Sequence, residues 1–144
     1  MRQIILLLLA LSALAFQAHA LPVPSMFGFV NDPQHLFSSH EKLSLIDEVS
    51  DINKRTGAQV AVLVLPSLEG ENLETFATQT FNTWRLGNAQ RNDGVLILVA
   101  WQDRRVRVEV GRGLESVITD ALASQVIKEQ MLPYFREGDL LSGL

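Results

Sequence analysis

"RNDGVLILVAWQDRRVRVEVGRGLE", residues 91–115, is the stretch that decides the fold. Val95 to Trp101 is apolar at every position, which suits a strand buried between two layers. Gln102 to Arg105 is polar and turn-like. Val106, Val108 and Val110 then alternate with Arg107 and Glu109, the pattern of a half-exposed strand near a sheet edge. Together these pieces predict an antiparallel hairpin with its tip inside Gln102–Arg105. That tip sets Trp101 opposite Val106, Leu98 opposite Glu109, Gly94 opposite Gly113 and Asp93 opposite Leu114.

Three readings are open for the turn that follows, Gly111-Arg112-Gly113. It can offer amides and Arg112 to an anion. It can wall a cation site, or it can simply let the chain leave the sheet edge sharply. A lone G-x-G lacks the third glycine of a dinucleotide fingerprint and the Gly-Lys-Ser/Thr of a P-loop, so turning the chain is its first role.

The fold grows outward from the hairpin. Val60 to Leu65 is a second doubly buried strand, ended by Pro66-Ser67. Leu73, Phe76, Ala77, Phe81 and Trp84 mark an amphipathic helix between the two strands, stopped near Gly87. This βαβ unit predicts a right-handed crossover. Upstream, Ser38 and Glu41 form a capping box for a helix over 39–55, with Gly57 placed to end it. Downstream, Thr119 caps a helix from Asp120 to Leu132, stopped by Pro133. The order α-β-α-β-β-α predicts a three-layer α/β/α sandwich with a small mixed sheet, Rossmann-like in its layering.

Residues 1–20 read as a secretory signal peptide: Arg2, an apolar run from Ile4 to Phe16, and Ala18-His19-Ala20 as the cleavage site. Residues 21–29, with two prolines and a glycine, read as a flexible leader to a domain spanning 30–144. Removing Arg2 with the signal leaves 11 basic against 16 acidic side chains, a charge of −5 where the whole chain carries −4. A mildly acidic surface argues against nucleic acid and against an electrostatic hold on anionic lipid. The chain has no Cys, which removes disulfides, thiolate nucleophiles and thiolate metal sites. No later apolar run reaches membrane-spanning length, so the expected location is the periplasm or the medium, with an envelope protein as partner.

The hairpin also suggests a site. It brings Asp93 and Glu115 to one end of the sheet, and Asp120 starts the next helix nearby. Oxygen ligands of this kind suit Ca²⁺ or Mg²⁺. Each residue also has an ordinary role: Asp93 as a turn residue, Glu115 as a solvated acid, Asp120 as the acid of a helix first turn. Arg107 and Glu109 read as alternating charges guarding a sheet edge. Trp84 and Trp101 fall in phase with apolar neighbours and read as core.

Several pieces resemble the TPM domain, a family of thylakoid-lumen, photosystem-repair and receptor-accessory proteins together with exported bacterial proteins. They are "VNDPQHLFS" (30–38), "TGAQVAVLVLPSLEGENLETFA" (56–77), "WRLGNAQRNDGVLILVA" (84–100), "DRRVRVEVGRGLE" (103–115) and "DALASQVIKEQMLPYFREGD" (120–139). The resemblance implies an α/β/α sandwich and a divalent cation, Ca²⁺ or Mg²⁺, held by loop carboxylates at one end of the sheet. Asp93 is the position it carries over first, with Asp32 of "VND", Glu115 and Asp120 beside it. Family members commonly continue into a further helix, so the resemblance implies either a fragment of a longer chain or a domain without its closing helix.

Two functions follow from the resemblance. One is an accessory module that binds a metal and docks protein. The alternative is a metal-assisted acid phosphatase, with the acids on the metal and Arg112 on the phosphate. The sequence has no Cys-x₅-Arg, Arg-His-Gly, Asp-x-Asp or histidine cluster, which favours the binding module.

Overall fold

A computed structural model describes residues 20–144. The signal peptide read over residues 1–20 lies outside the described residues except for Ala20. The elements run β1 (Val30–Asn31), α1 (Ser39–Thr56), β2 (Gln59–Leu65), α2 (Leu73–Trp84), β3 (Gly94–Ala100), β4 (Arg105–Val110), α3 (Asp120–Val126), a π-helical segment (Ile127–Met131) and α4 (Leu132–Glu137). The sheet order is β1-β2-β3-β4, with the first three strands parallel and β4 antiparallel to β3. The two-residue β1 is too short to leave an alternating pattern in the sequence, and the expected order omitted it.

Alternation along β2 and β3 sorts the core into two layers. Val62, Val64 and Val99 point to one face, where Leu45 and Val49 of α1 meet Met131 and Phe135. Ala61, Leu63, Leu65, Leu96 and Leu98 point to the other, against Leu73, Phe76 and Ala77 of α2. Both strands are therefore apolar at successive positions, as burial on both faces requires. The expected three-layer α/β/α sandwich with a small mixed sheet is the fold observed. Trp101 stacks edge-on against Phe135, with centroids 5.6 Å apart, so this tryptophan is core as its phase indicated.

The crossovers hold a surprise. β1–α1–β2 and β2–α2–β3 step the same way across the sheet, yet α1 and α2 lie on opposite faces. Two right-handed crossovers would place both helices on one face. The two connections thus have opposite hands, and one departs from the right-handed rule.

Caps set the ends of α1 as the sequence indicates. The Ser38 hydroxyl accepts from the Glu41 amide, the Glu41 carboxylate accepts from the Ser38 amide, and Gly57 closes the helix at φ +73°. The last helix differs from expectation, because it does not stop at Pro133. A proline lacks the N–H for a helical bond and crowds the preceding turn. The π segment widens that turn, with the Leu132 amide donating to Ile127 O, and the chain continues as α4 to a left-handed cap at Gly138.

Parts of residues 21–29, read as a flexible leader, pack on the domain, with Phe29 on the α1 side and Phe27 exposed. Leu21, Val23 and Met26 pack on the α2 side, and the Trp84 indole N–H donates to Pro24 O at 2.8 Å.

Candidate functional site

The hairpin tip is Trp101–Arg104, one residue earlier than expected, and the register moves by two: Leu98 pairs with Arg107 and Leu96 with Glu109. Bonds from outside the hairpin fix this. The amides of Trp101 and Gln102 donate to Leu65 O and Pro66 O, and the Asp103 carboxylate accepts from the Ser67 hydroxyl and the Leu68 amide. Arg104 then closes the tip with φ +53°. A two-residue shift keeps every side chain on its expected face. The ladder runs on through Gly111 N–H to Gly94 O and Gly113 N–H to Asn92 O, which sets Arg112 rather than Leu114 opposite Asp93.

At that end of the sheet three backbones touch. A Cβ added to Gly94 would lie 2.5 Å from Leu86 O, one on Gly111 2.3 Å from Asn92 O, and one on Gly113 1.8 Å from Arg91 O. The Gly111-Arg112-Gly113 turn is therefore a packing joint. Its two glycine amides already donate to carbonyls, so for an anion it offers the Arg112 side chain and not a nest of free N–H groups.

Asp93 holds the loop that enters this joint. It is buried, one carboxylate oxygen accepts from the Asn88 amide at 2.7 Å, and the other accepts from Arg91 Nε at 2.5 Å. The Asn88 hydrogen bond, then the Arg91 guanidinium, hold its pKa below the ordinary aspartate value. The Asn88 side chain in turn accepts from the amides of Gln90 and Arg91. Arg91 reaches Gly57 O, the Asp93 carbonyl accepts from Gln59 N–H, and the Gln59 side chain accepts from Gly87 N–H. Sequence reading found Asp93 and missed Asn88, Arg91 and Gln59. The signal for them was the polar loop "NAQRND" held between Gly87 and Gly94.

Asp32 does a similar job elsewhere. It is buried just past β1, and its two oxygens accept from the amides of Leu36 and Phe37 at 2.8 and 2.9 Å. Asn31 beside it bonds Phe27 N–H and Gly28 O. By the ladder, Asp32 lies level with Val64 and Asp93 level with Ala58. Six residues of parallel strand separate those levels, about 20 Å at roughly 3.3 Å per residue. These two acids sit at opposite ends of the sheet and do not share an ion.

Glu115 and Asp120 share a cleft. It has a volume of about 370 Å³ and runs along β4, with Arg107 to Val110 as its other wall. Glu109 is not simply solvated: it accepts from Arg107 Nε at 3.1 Å and from the Thr78 hydroxyl of α2 at 3.1 Å. Among the described residues no group of three or more His, Asp or Glu side chains is arranged to hold a metal ion. The four-acid ligand set thus does not fit one ion, because Asp32 and Asp93 are hydrogen-bonded into their own loops and lie far apart. Glu115 and Asp120 remain as a pair of carboxylates on one cleft.

Among the described residues no helix is long and apolar enough to cross a membrane. No curated protein matches the chain. Solved structures do. The N-terminal domain of a protein from P. gingivalis is 33% identical, with 80% of this chain and 73% of that one covered and a TM-score of 0.73. The BA42 protein of Bizionia argentinensis (20% identity, 78% and 76% covered, TM-score 0.67) shares the fold. So does the N-terminal domain of the cg2496 protein of Corynebacterium glutamicum (16% identity, 87% and 79% covered, TM-score 0.64). The sequence profile of the TPM domain matches residues 30–144, the whole span from β1 to the last residue, and the chain belongs to the TPM domain family.

Proposed function

We propose that this TPM-domain protein is a protein-binding accessory module of the cell envelope. The observation that carries the reading is an exposed apolar strip: Leu122, Val126 and Tyr134 are partly in solvent and line a groove of about 500 Å³ together with Val95, Ile97 and Val108. Contiguous apolar surface of this kind marks interaction sites on soluble domains. The polar chemistry points the same way. Asp93, the acid a hydrolase would rely on first, is fixed by Asn88 and Arg91 in a structural role. The signal-peptide pattern of residues 1–20 supports the envelope location. A divalent cation, Ca²⁺ or Mg²⁺, would take Glu115 and Asp120 as its side-chain ligands, with loop carbonyls and water completing an oxygen shell.

The test uses the mature chain stripped of metal. A chromogenic phosphate ester is offered with Mg²⁺, Mn²⁺ or Ca²⁺, and melting is followed over the same titrations. The expected result is no turnover, with a cation-dependent rise in Tm that disappears in Glu115→Gln/Asp120→Asn and persists in Asp93→Asn. Turnover that disappears in the double variant would replace the module with a phosphatase.

A further inference from the structure

Among the described residues β3 is β4's sole strand partner, which leaves the other edge of β4 without a strand. The bond from Gly111 N–H to Gly94 O fixes which groups face that edge. Arg105, Arg107 and Glu109 exchange main-chain bonds with β3, so the N–H and C=O of Val106, Val108 and Val110 point outward. The cleft beside them has an informative lining. It touches four consecutive residues, Arg107 to Val110. Consecutive strand side chains point to opposite faces, so a cavity reaching all four lies along the strand's edge. A second cleft of about 270 Å³ continues it past Val106, with Ser124 and Ile127 on its far wall. The two form a trench between a strand edge and the last helical unit, about four extended residues long at roughly 3.3 Å per residue.

We propose that this trench takes an extended peptide as a fifth strand, with a Lys or Arg side chain set against Glu115 and Asp120. Main-chain pairing gives such a site its hold, and the charges beside it give the choice of peptide. Glu109 already has its cation in Arg107, the one basic residue on the lining of that cleft, and Glu115 and Asp120 form no salt bridge with it. Across both clefts the lining holds Glu74, Glu109, Glu115 and Asp120 against Arg107 and Lys128, an excess of two acids. The charge left unmatched is negative. The inference rests on the binding-module reading and adds to it the surface used and the chemistry of the partner.

The experiment uses the ¹⁵N-labelled mature chain with chelator present, so that no cation enters the comparison. Two capped peptides are added, one alternating Val with Lys and one alternating Val with Glu. The Lys peptide is expected to slow exchange of the Val106, Val108 and Val110 amides by on the order of tenfold or more, with the Glu peptide silent. Val108→Pro removes one outward N–H at an edge where proline is tolerated, and should abolish binding. Glu115→Lys, on the surface, should invert the preference and serves if the proline variant does not fold. Binding of neither peptide, equal binding of both, or protection of other amides overturns the proposal. So does self-association of the free protein that protects the same three amides, since the edge then belongs to a second copy of β4. Failure here without phosphatase turnover removes the trench alone; turnover removes the module reading itself.

Discussion

Asp93 and Asp120 are the same side chain in two settings, and the difference separates scaffold from surface. Asp93 is buried, both its oxygens are engaged, and the loops around it meet through glycine backbones. Asp120 stands exposed on the lining of a cleft, beside Glu115. An acid's place at a sheet end says little about its work. What decides is how many N–H groups already point at it.

The comparison breaks first at the glycine joint. Gly113→Ala should cost about 3 kcal/mol in urea unfolding, because the new Cβ meets the Arg91 backbone and not a movable side chain. A cost near zero would mean that the backbones do not touch, and the contrast would lose its structural side. Asp93→Asn comes next, with a Tm drop smaller than that of Gly113→Ala. It also changes the acid limb of stability. The folded pKa lies below the unfolded one, so Asp93 stabilises fully above the unfolded value of about 3.9 and ceases to as pH falls through the lowered folded value. Wild type should therefore lose its advantage over Asp93→Asn below about pH 4, and a constant gap between the two curves would contradict the assignment. Glu115→Gln is the smallest, within about 0.5 kcal/mol, since its carboxylate is exposed. A larger loss would make Glu115 part of the scaffold too.

Much of the scaffold was legible because it rests on local rules. The Ser38–Glu41 box, the Gly57 cap and the doubly apolar runs of β2 and β3 each carry their own signal. What stayed hidden depends on groups far apart in the chain. The hairpin register turned on Asp103 reaching Ser67 and Leu68. The role of Asp93 turned on Arg91 and on the Asn88 amide, and an amide leaves no mark in a sequence. β1 has two residues and is defined only by its pairing with Val62 and Leu63. The cleft was half legible: Glu115 and Asp120 were both named and line it, while Asp93, the acid first set beside Glu115, is engaged by Asn88 and Arg91, and Asp32 came from family likeness and lies at the far end of the sheet.

The π segment before Pro133 has a geometric consequence. Ala123, Ile127, Met131 and Phe135 recur every four residues and all turn inward, to degrees from half-buried to buried. In an unbroken α-helix each such step overshoots a full revolution by about 40°, so the fourth residue would have swung well away from the first. One wide turn absorbs part of that overshoot. The helix can thus keep a single seam against the sheet, and Leu122 and Val126 are carried round to the side that others can touch.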